Sequence, residues 1–156
     1  MSSSLVRADT GGFQLSSEAF KDNAAIPKEY TCDGRNVNPP LTFHNVPPGT
    51  QSLALAVADP DAPNGLWVHW VIYNIRPGIG SIAVNTSPGL QGLNDFGKQA
   101  YGGPCPPPGN LHHYVFRAYA LDTFLNVHGQ QTLRSIDKAC GGHILGKTML
   151  VGTYQR

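Results

Sequence analysis

Asp59-Pro60-Asp61-Ala62-Pro63, followed closely by His69, puts two carboxylates and an imidazole at the junction of two apolar runs. A carboxylate bonded to one ring nitrogen of a histidine fixes what the other nitrogen presents. Asp59 closes a hydrophobic run, so it is expected to be buried, where a carboxylate must find partners. Orienting His69 is the role that follows, with Asp61 as a turn residue supporting it. A second cluster runs from Gly102-Gly103-Pro104-Cys105-Pro106-Pro107 to His112-His113-Tyr114. Glycines allow close backbone approach, and successive amide N–H groups in such a loop can form a concave anion site. Prolines stiffen that loop. His112 and Tyr114, two apart on a strand, share a face and offer a charge-assisted donor and a hydroxyl to phosphate or carboxylate oxygens. His113 points the other way.

The chemistry this set suits is recognition of a small anion, without catalysis. No GxSxG-like elbow exists, and Cys105 lies between prolines with no paired base. The enzymatic alternative is a two-histidine, one-carboxylate metal site built from Asp59, His69 and His112, or a hydrolase using them. The expectation is no enzyme, no cofactor and no metal.

These clusters need rigid elements to carry them. Ser52 to Asp59 is apolar almost throughout, which suits a central strand covered on both faces, although its alanines leave some helix ambiguity. Trp67 to Ile75 is β-branched and aromatic and reads as a second central strand, with Trp67, His69, Val71, Tyr73 and Ile75 on one face. His113 to Asp122 alternates as a third. Shorter strands are expected at Gly12–Leu15, Leu41–His44 and Thr148–Tyr154, with a helical turn over Ser16–Asp22. Thr132 to Gly141 is the best helix: Thr132 is a plausible N-cap, Leu133, Ile136 and Cys140 recur at helical spacing, and Gly141-Gly142 ends it. His143 to Lys147 would add a turn. Residues 78–100 lack periodicity and read as a long surface excursion. The chain is expected to be an all-β sandwich with one or two short helices, forming one domain over residues 1–156 with 1–10 mobile.

At 156 residues a single sizeable core is possible, and 18 Gly and 13 Pro spread between apolar runs favour strands joined by defined loops. A net charge of +1 without a Lys/Arg run disfavours a nucleic-acid face. No stretch is apolar and long enough for a signal peptide or a membrane span, so a cytoplasmic protein is expected. Three widely separated cysteines, Cys32, Cys105 and Cys140, make no disulfide framework; reduced thiols are the default, and which two would bridge is left open.

Taken together, the motifs resemble the phosphatidylethanolamine-binding proteins, and closely their small prokaryotic branch, the Raf kinase inhibitor-like proteins. The matching text runs from Phe13 to Arg156. It includes Tyr30-Thr-Cys-Asp-Gly-Arg-Asn, Pro39-Pro-Leu, Asp59-Pro-Asp-Ala-Pro, His69-Trp-Val-Ile-Tyr-Asn-Ile, Gly103-Pro-Cys-Pro-Pro, His112-His-Tyr-Val-Phe-Arg-Ala-Tyr, Gly142-His-Ile-Leu-Gly and Val151-Gly-Thr-Tyr-Gln-Arg. The resemblance implies a Greek-key β-sandwich of two antiparallel sheets with a small pocket for phosphate-like anions or phospholipid head groups. By motif, Asp59, His69, His112 and Tyr114 would form its wall, Gly103, Pro104 and Pro106 would supply backbone and shape, and Asp61, Pro63 and Cys105 would support it. Inhibition of a protein kinase or serine protease, and a homodimer using residues 78–100, are further implications. The departures are Asn38 for Ser, Phe43 for Trp and His113 for an Arg that would have put a fixed positive charge near the site. The anion site is expected to strengthen as pH falls toward the histidine range.

Overall fold

The computed structural model describes residues 12–156; the mobile segment expected over residues 1–10 lies outside them. Nine strands and one α-helix are present among the described residues. The strands are β1 (Gln14–Ser16), β2 (Ala24–Ala25), β3 (Leu41–His44), β4 (Ser52–Asp59), β5 (Trp67–Ile75), β6 (Ser81–Ile82), β7 (Leu90–Gln91), β8 (His112–Leu121) and β9 (Ile144–Tyr154), with helix α1 (Leu133–Cys140) between the last two. They form a three-stranded sheet, β1-β3-β6, and a six-stranded sheet, β2-β9-β8-β4-β5-β7. A long connection from β5 brings β8 back beside β4, as expected of a Greek-key sandwich.

The main core lies between the sheets, where Phe13, Leu15, Leu41, Phe43 and Ile82 meet Leu53, Leu55, Val57, Trp70, Ile72 and Phe116. A smaller core lies on the other face of the large sheet, where Ile136 and Cys140 of α1 pack on Ala54, Val71, Tyr73 and Leu121. Both faces of β4 are therefore covered, and all eight of its residues are buried. Helix α1 starts as its sequence predicts, with a reciprocal cap between Thr132 and Ser135.

Several expectations are corrected. The edge pair β2–β9 is parallel, with Ala24 and Ala25 beside Gly152 and Thr153; the long chain between them leaves either direction open. Residues 17–22 make bends and a turn instead of a helical turn, with Phe20 anchored in the core. His143–Lys147 is no turn: Gly142 takes a positive φ, and β9 begins at Ile144 opposite Leu121. Residues 78–100 contain β6, β7 and a bridge from Leu93 to Thr132.

β5 does not keep one alternation. Its register against β4 slips between Ala58↔Val68 and Val57↔Trp70, and again between Leu55↔Ile72 and Leu53↔Ile75. Each slip adds one residue to β5, and such bulges re-aim side chains. Trp70, Ile72 and Ile75 consequently face the main core while Val71 and Tyr73 face α1. At the second slip Asn74 holds φ at 54° and bonds Leu125 twice, Nδ2 to its carbonyl at 3.0 Å and Oδ1 from its amide at 2.8 Å. Asn74→Ala is expected to lower stability by roughly 3 kcal/mol, from two lost hydrogen bonds plus left-handed strain. Asn74→Gly should recover the strain part only, so its urea midpoint should fall between those of the wild type and the alanine variant.

Candidate functional site

The site forms where β4 ends and β8 begins. Pro60 stops β4, leaving Asp59 3 % exposed at its tip. Its two oxygens have separate partners. Oδ1 accepts the amide of Asp61 at 2.7 Å, making the turn, and Oδ2 accepts Nδ1 of His112 at 2.6 Å. Outside this buried pair runs a second one: Oδ2 of Asp61 accepts both the amide and Nδ1 of His113, each at 2.8 Å. Those bonds hold the Asp61 carboxyl below its usual range. The expected supporting role of Asp61 and the outward aim of His113 are both seen.

His69 is not the histidine Asp59 bonds, contrary to expectation. It is the extra residue at the first bulge of β5, and its Nδ1 donates to the carbonyl of Gly102 at 2.7 Å. The bulge turns its ring edge-on to Tyr114 and Phe96, with centroids 5.2 and 5.4 Å away. Burial lowers its pKa, only partly offset by the Gly102 carbonyl and the Asp59 charge. His69 is thus a neutral wall near neutral pH, and its share of any gain in anion affinity shifts to lower pH than the sequence implied.

Tyr114 is fully buried, and its hydroxyl has no hydrogen-bond partner among the described residues. Burial first, then the nearby Asp59 charge, pushes its pKa upward, so it stays a protonated donor. The ring of His112, held through Nδ1, borders the same space beside Tyr114.

Asp59, His69, His112 and Tyr114 border one cavity of about 210 Å³, completed by Ala62, Pro63, Trp67, Phe96, Cys105, Pro106 and Pro107. The space admits a small polar group, and the cavity is partly open to solvent. Among the described residues no lysine or arginine borders it. Among the described residues no three His, Cys, Asp or Glu side chains are grouped to hold a metal.

Gly103 and Pro104 stand behind the wall instead of lining it. The amide of Gly103 donates to Oδ1 of Asn36 at 2.8 Å, and the carbonyl of Pro104 accepts from Cys32 at 3.0 Å. Cys32 and Cys105 form a disulfide, and Cys140 is the free, buried thiol. The reduced state expected for all three is corrected: close packing of residues 30–36 on residues 102–105 brings Cys32 to Cys105.

Sequence reasoning missed Trp67 and Phe96. Phe96 is placed by Asn94, a buried side chain whose Oδ1 accepts the amides of Phe96 and Lys98 and whose Nδ2 donates to Ala100. Asn94-Asp95-Phe96-Gly97 carried a turn signal that could have located it.

The family model described as phosphatidylethanolamine-binding protein matches residues 16–155. The chain belongs to the phosphatidylethanolamine-binding protein family. A UPF0098 protein of Methanothermobacter thermautotrophicus is 44% identical over 149 residues, spanning 91% of this chain and 98% of that protein. A second, from Chlamydia pneumoniae, is 44% identical across 92% and 99%. Among solved structures, a phosphatidylethanolamine-binding protein homologue from Chlamydia trachomatis superposes with a TM-score of 0.89 at 41% identity, covering 92% of this chain and 97% of its own. E. coli YbcL, described as a member of the mammalian family, gives 0.85 at 30% identity over 92% and 98%. The recognised motifs and the mainly β, two-sheet fold therefore stand.

Two outcomes follow from this geometry. A Cβ on Gly103 would lie 2.4 Å from the Tyr30 carbonyl oxygen and 2.5 Å from Oδ1 of Asn36. Gly103→Ala should cost about 1–3 kcal/mol by overpacking, seen as a lower urea midpoint. His69 should titrate by NMR below the 6.5 of a free imidazole. Because the unfolded chain then takes up the proton first, its stability contribution is whole above about pH 6.5 and declines as pH falls below that. A midpoint at or above 6.5 would contradict this.

Proposed function

We propose that this family member binds, without catalysis, a small ligand bearing a phosphate or carboxylate group in the cavity between Asp59 and Tyr114. The observation that carries the reading is the buried, unpartnered hydroxyl of Tyr114 beside the Asp59–His112 pair. A buried donor left without a partner destabilises the protein by about 1–3 kcal/mol, so its retention makes sense if a ligand oxygen completes it. Nε2 of His112 stands as the second contact, with its ring fixed by Asp59 through Nδ1.

The charge pattern narrows the ligand. An anion meets no lysine or arginine at the wall and faces the Asp59 carboxylate. The favoured ligand therefore carries its own proton or a cationic group next to the anion, as a phosphate monoanion or a zwitterionic head group does. Trp67, Phe96 and the prolines would cover an apolar remainder. The enzymatic alternative finds less support, because among the described residues no three His, Cys, Asp or Glu side chains are grouped to hold a metal. Among the described residues no Ser or Lys borders the cavity, and Cys105, which does, is held in the disulfide.

Calorimetry with inorganic phosphate and with phosphoethanolamine tests this. Tyr114→Phe should weaken binding about tenfold or more, the loss of a hydrogen bond to a charged partner, while leaving stability equal or higher. His112→Ala should weaken it at least as much. Unchanged affinity in both variants would remove the pocket assignment.

A further inference from the structure

The segment Pro104-Cys105-Pro106-Pro107-Pro108 has one backbone N–H in five residues, that of Cys105. Backbone hydrogen bonds therefore can do little to hold this part of the cavity wall. What holds it is the bond from Cys105 to Cys32 and the Cys32 amide on the Pro104 carbonyl, with Gly103 to Asn36 just before the segment and Gly109 to Arg156 and Gln155 just after it. Cys105 is exposed and borders the cavity, whereas Cys32 is half-buried and does not border it. Nη1 of Arg156 lies 3.6 Å from the Cys105 sulfur, and its Nη2 pairs with Asp33 at 3.2 Å.

We propose that Cys32–Cys105 is a thiol-exchange site, and that its reduction by a dithiol loosens the pocket wall and lowers phosphate affinity. The affinity half rests on the anion-binding reading above. In the exchange, a thiolate of the dithiol attacks the accessible Cys105 sulfur. The protein S–S bond breaks, and Cys32 leaves as a thiolate that takes up a proton. The second thiol of the reagent then attacks the mixed disulfide, freeing Cys105 and departing as a disulfide itself, so two electrons pass from reagent to protein. The Arg156 guanidinium beside the freed sulfur favours its thiolate form. Reduction thus both releases a segment that few other bonds hold and adds negative charge to the wall facing an anion. A neutral cross-link becomes a repulsive group.

The test uses the full chain, oxidised and then treated with dithiothreitol, each form checked by free-thiol count. Phosphate affinity should fall about fivefold or more on reduction and return on reoxidation, the size of an ordinary coupling between sites. With glutathione, mass spectrometry should place the mixed disulfide on Cys105. The Cys32→Ser/Cys105→Ser variant should bind weakly with or without dithiothreitol; the reduced wild type gives the same answer should that variant not fold. Equal affinity of the two wild-type forms overturns the proposal and leaves the anion site standing, and a bond that dithiothreitol does not reduce overturns it as well. If neither form binds phosphate, the anion-binding reading fails. The coupling is then decided by the NMR signals of the His69 and His112 rings: movement on reduction sustains it, and unchanged signals overturn it.

Discussion

The burial of Asp59 is the constraint around which this end of the sandwich is built. A carboxylate this far from water must have hydrogen-bond donors, and breaking a buried pair by removing one partner typically costs about 3–5 kcal/mol. Asp59 answers with two bonds to different parts of the chain. One, from the Asp61 amide, makes the turn after β4; the other, from His112, fixes where β8 begins. Asp61 then repeats the link outside through His113. Two aspartates two residues apart thus meet two adjacent histidines, one pair buried and one solvated. The inner pair orients a ring toward the cavity, and the outer pair keeps the turn in place.

The large strands were legible in the sequence because β5 is β-branched and aromatic and β8 alternates, while β4 is apolar throughout and its alanines left some helix ambiguity. Helix α1 was legible through its cap and spacing. His112 and Tyr114 were legible as sharing a face from their i, i+2 spacing, whereas their meeting with Asp59 followed only from the family resemblance. What remained hidden depends on pairing between distant segments. The face of a residue in β5 follows from counting by two only while the register against β4 is kept, and two added residues break that count. His69 therefore reaches Tyr114 by way of a bulge, and its bond goes to Gly102 instead of Asp59. The parallel edge of β2 and the Cys32–Cys105 bond lie beyond local pattern for the same reason. Phe96 belongs to a loop ordered by one buried side chain, Asn94, which no periodicity marks.

Placing Gly103 and Pro104 behind the wall changes what the glycine-proline loop contributes. Read alone, it suggested amides aimed at an anion. In the fold, the Gly103 amide is already used by Asn36, and prolines replace most of the others. The loop gives shape through Cys105, Pro106 and Pro107, while the polar groups at the cavity are side chains on β4, β5 and β8. This division suits a small site. Hydrogen bonds gain strength where water is excluded, and rigid strands hold donors more precisely than a loop does.

Several locally unfavourable features gather at one end of the sandwich, although Thr148 carries a second buried hydroxyl without a partner elsewhere. Around the cavity stand a fully buried hydroxyl without a partner, a histidine on a bulge, an aspartate removed from water and a wall segment nearly devoid of amide donors. Each is unfavourable or weakly held by itself, while the cores on either side of β4 are filled with well-buried aliphatic and aromatic side chains. A folding requirement would not concentrate such features at one end of the sandwich, since filling the cavity with apolar side chains would satisfy it better. The proposed binding role would account for them. A cavity that must admit a polar group has to remain open, keep a donor free and hold its walls without collapse. The prolines, the disulfide and the Asp59–His112 pair meet those demands by rigidity, while Tyr114 carries the cost of the donor kept free.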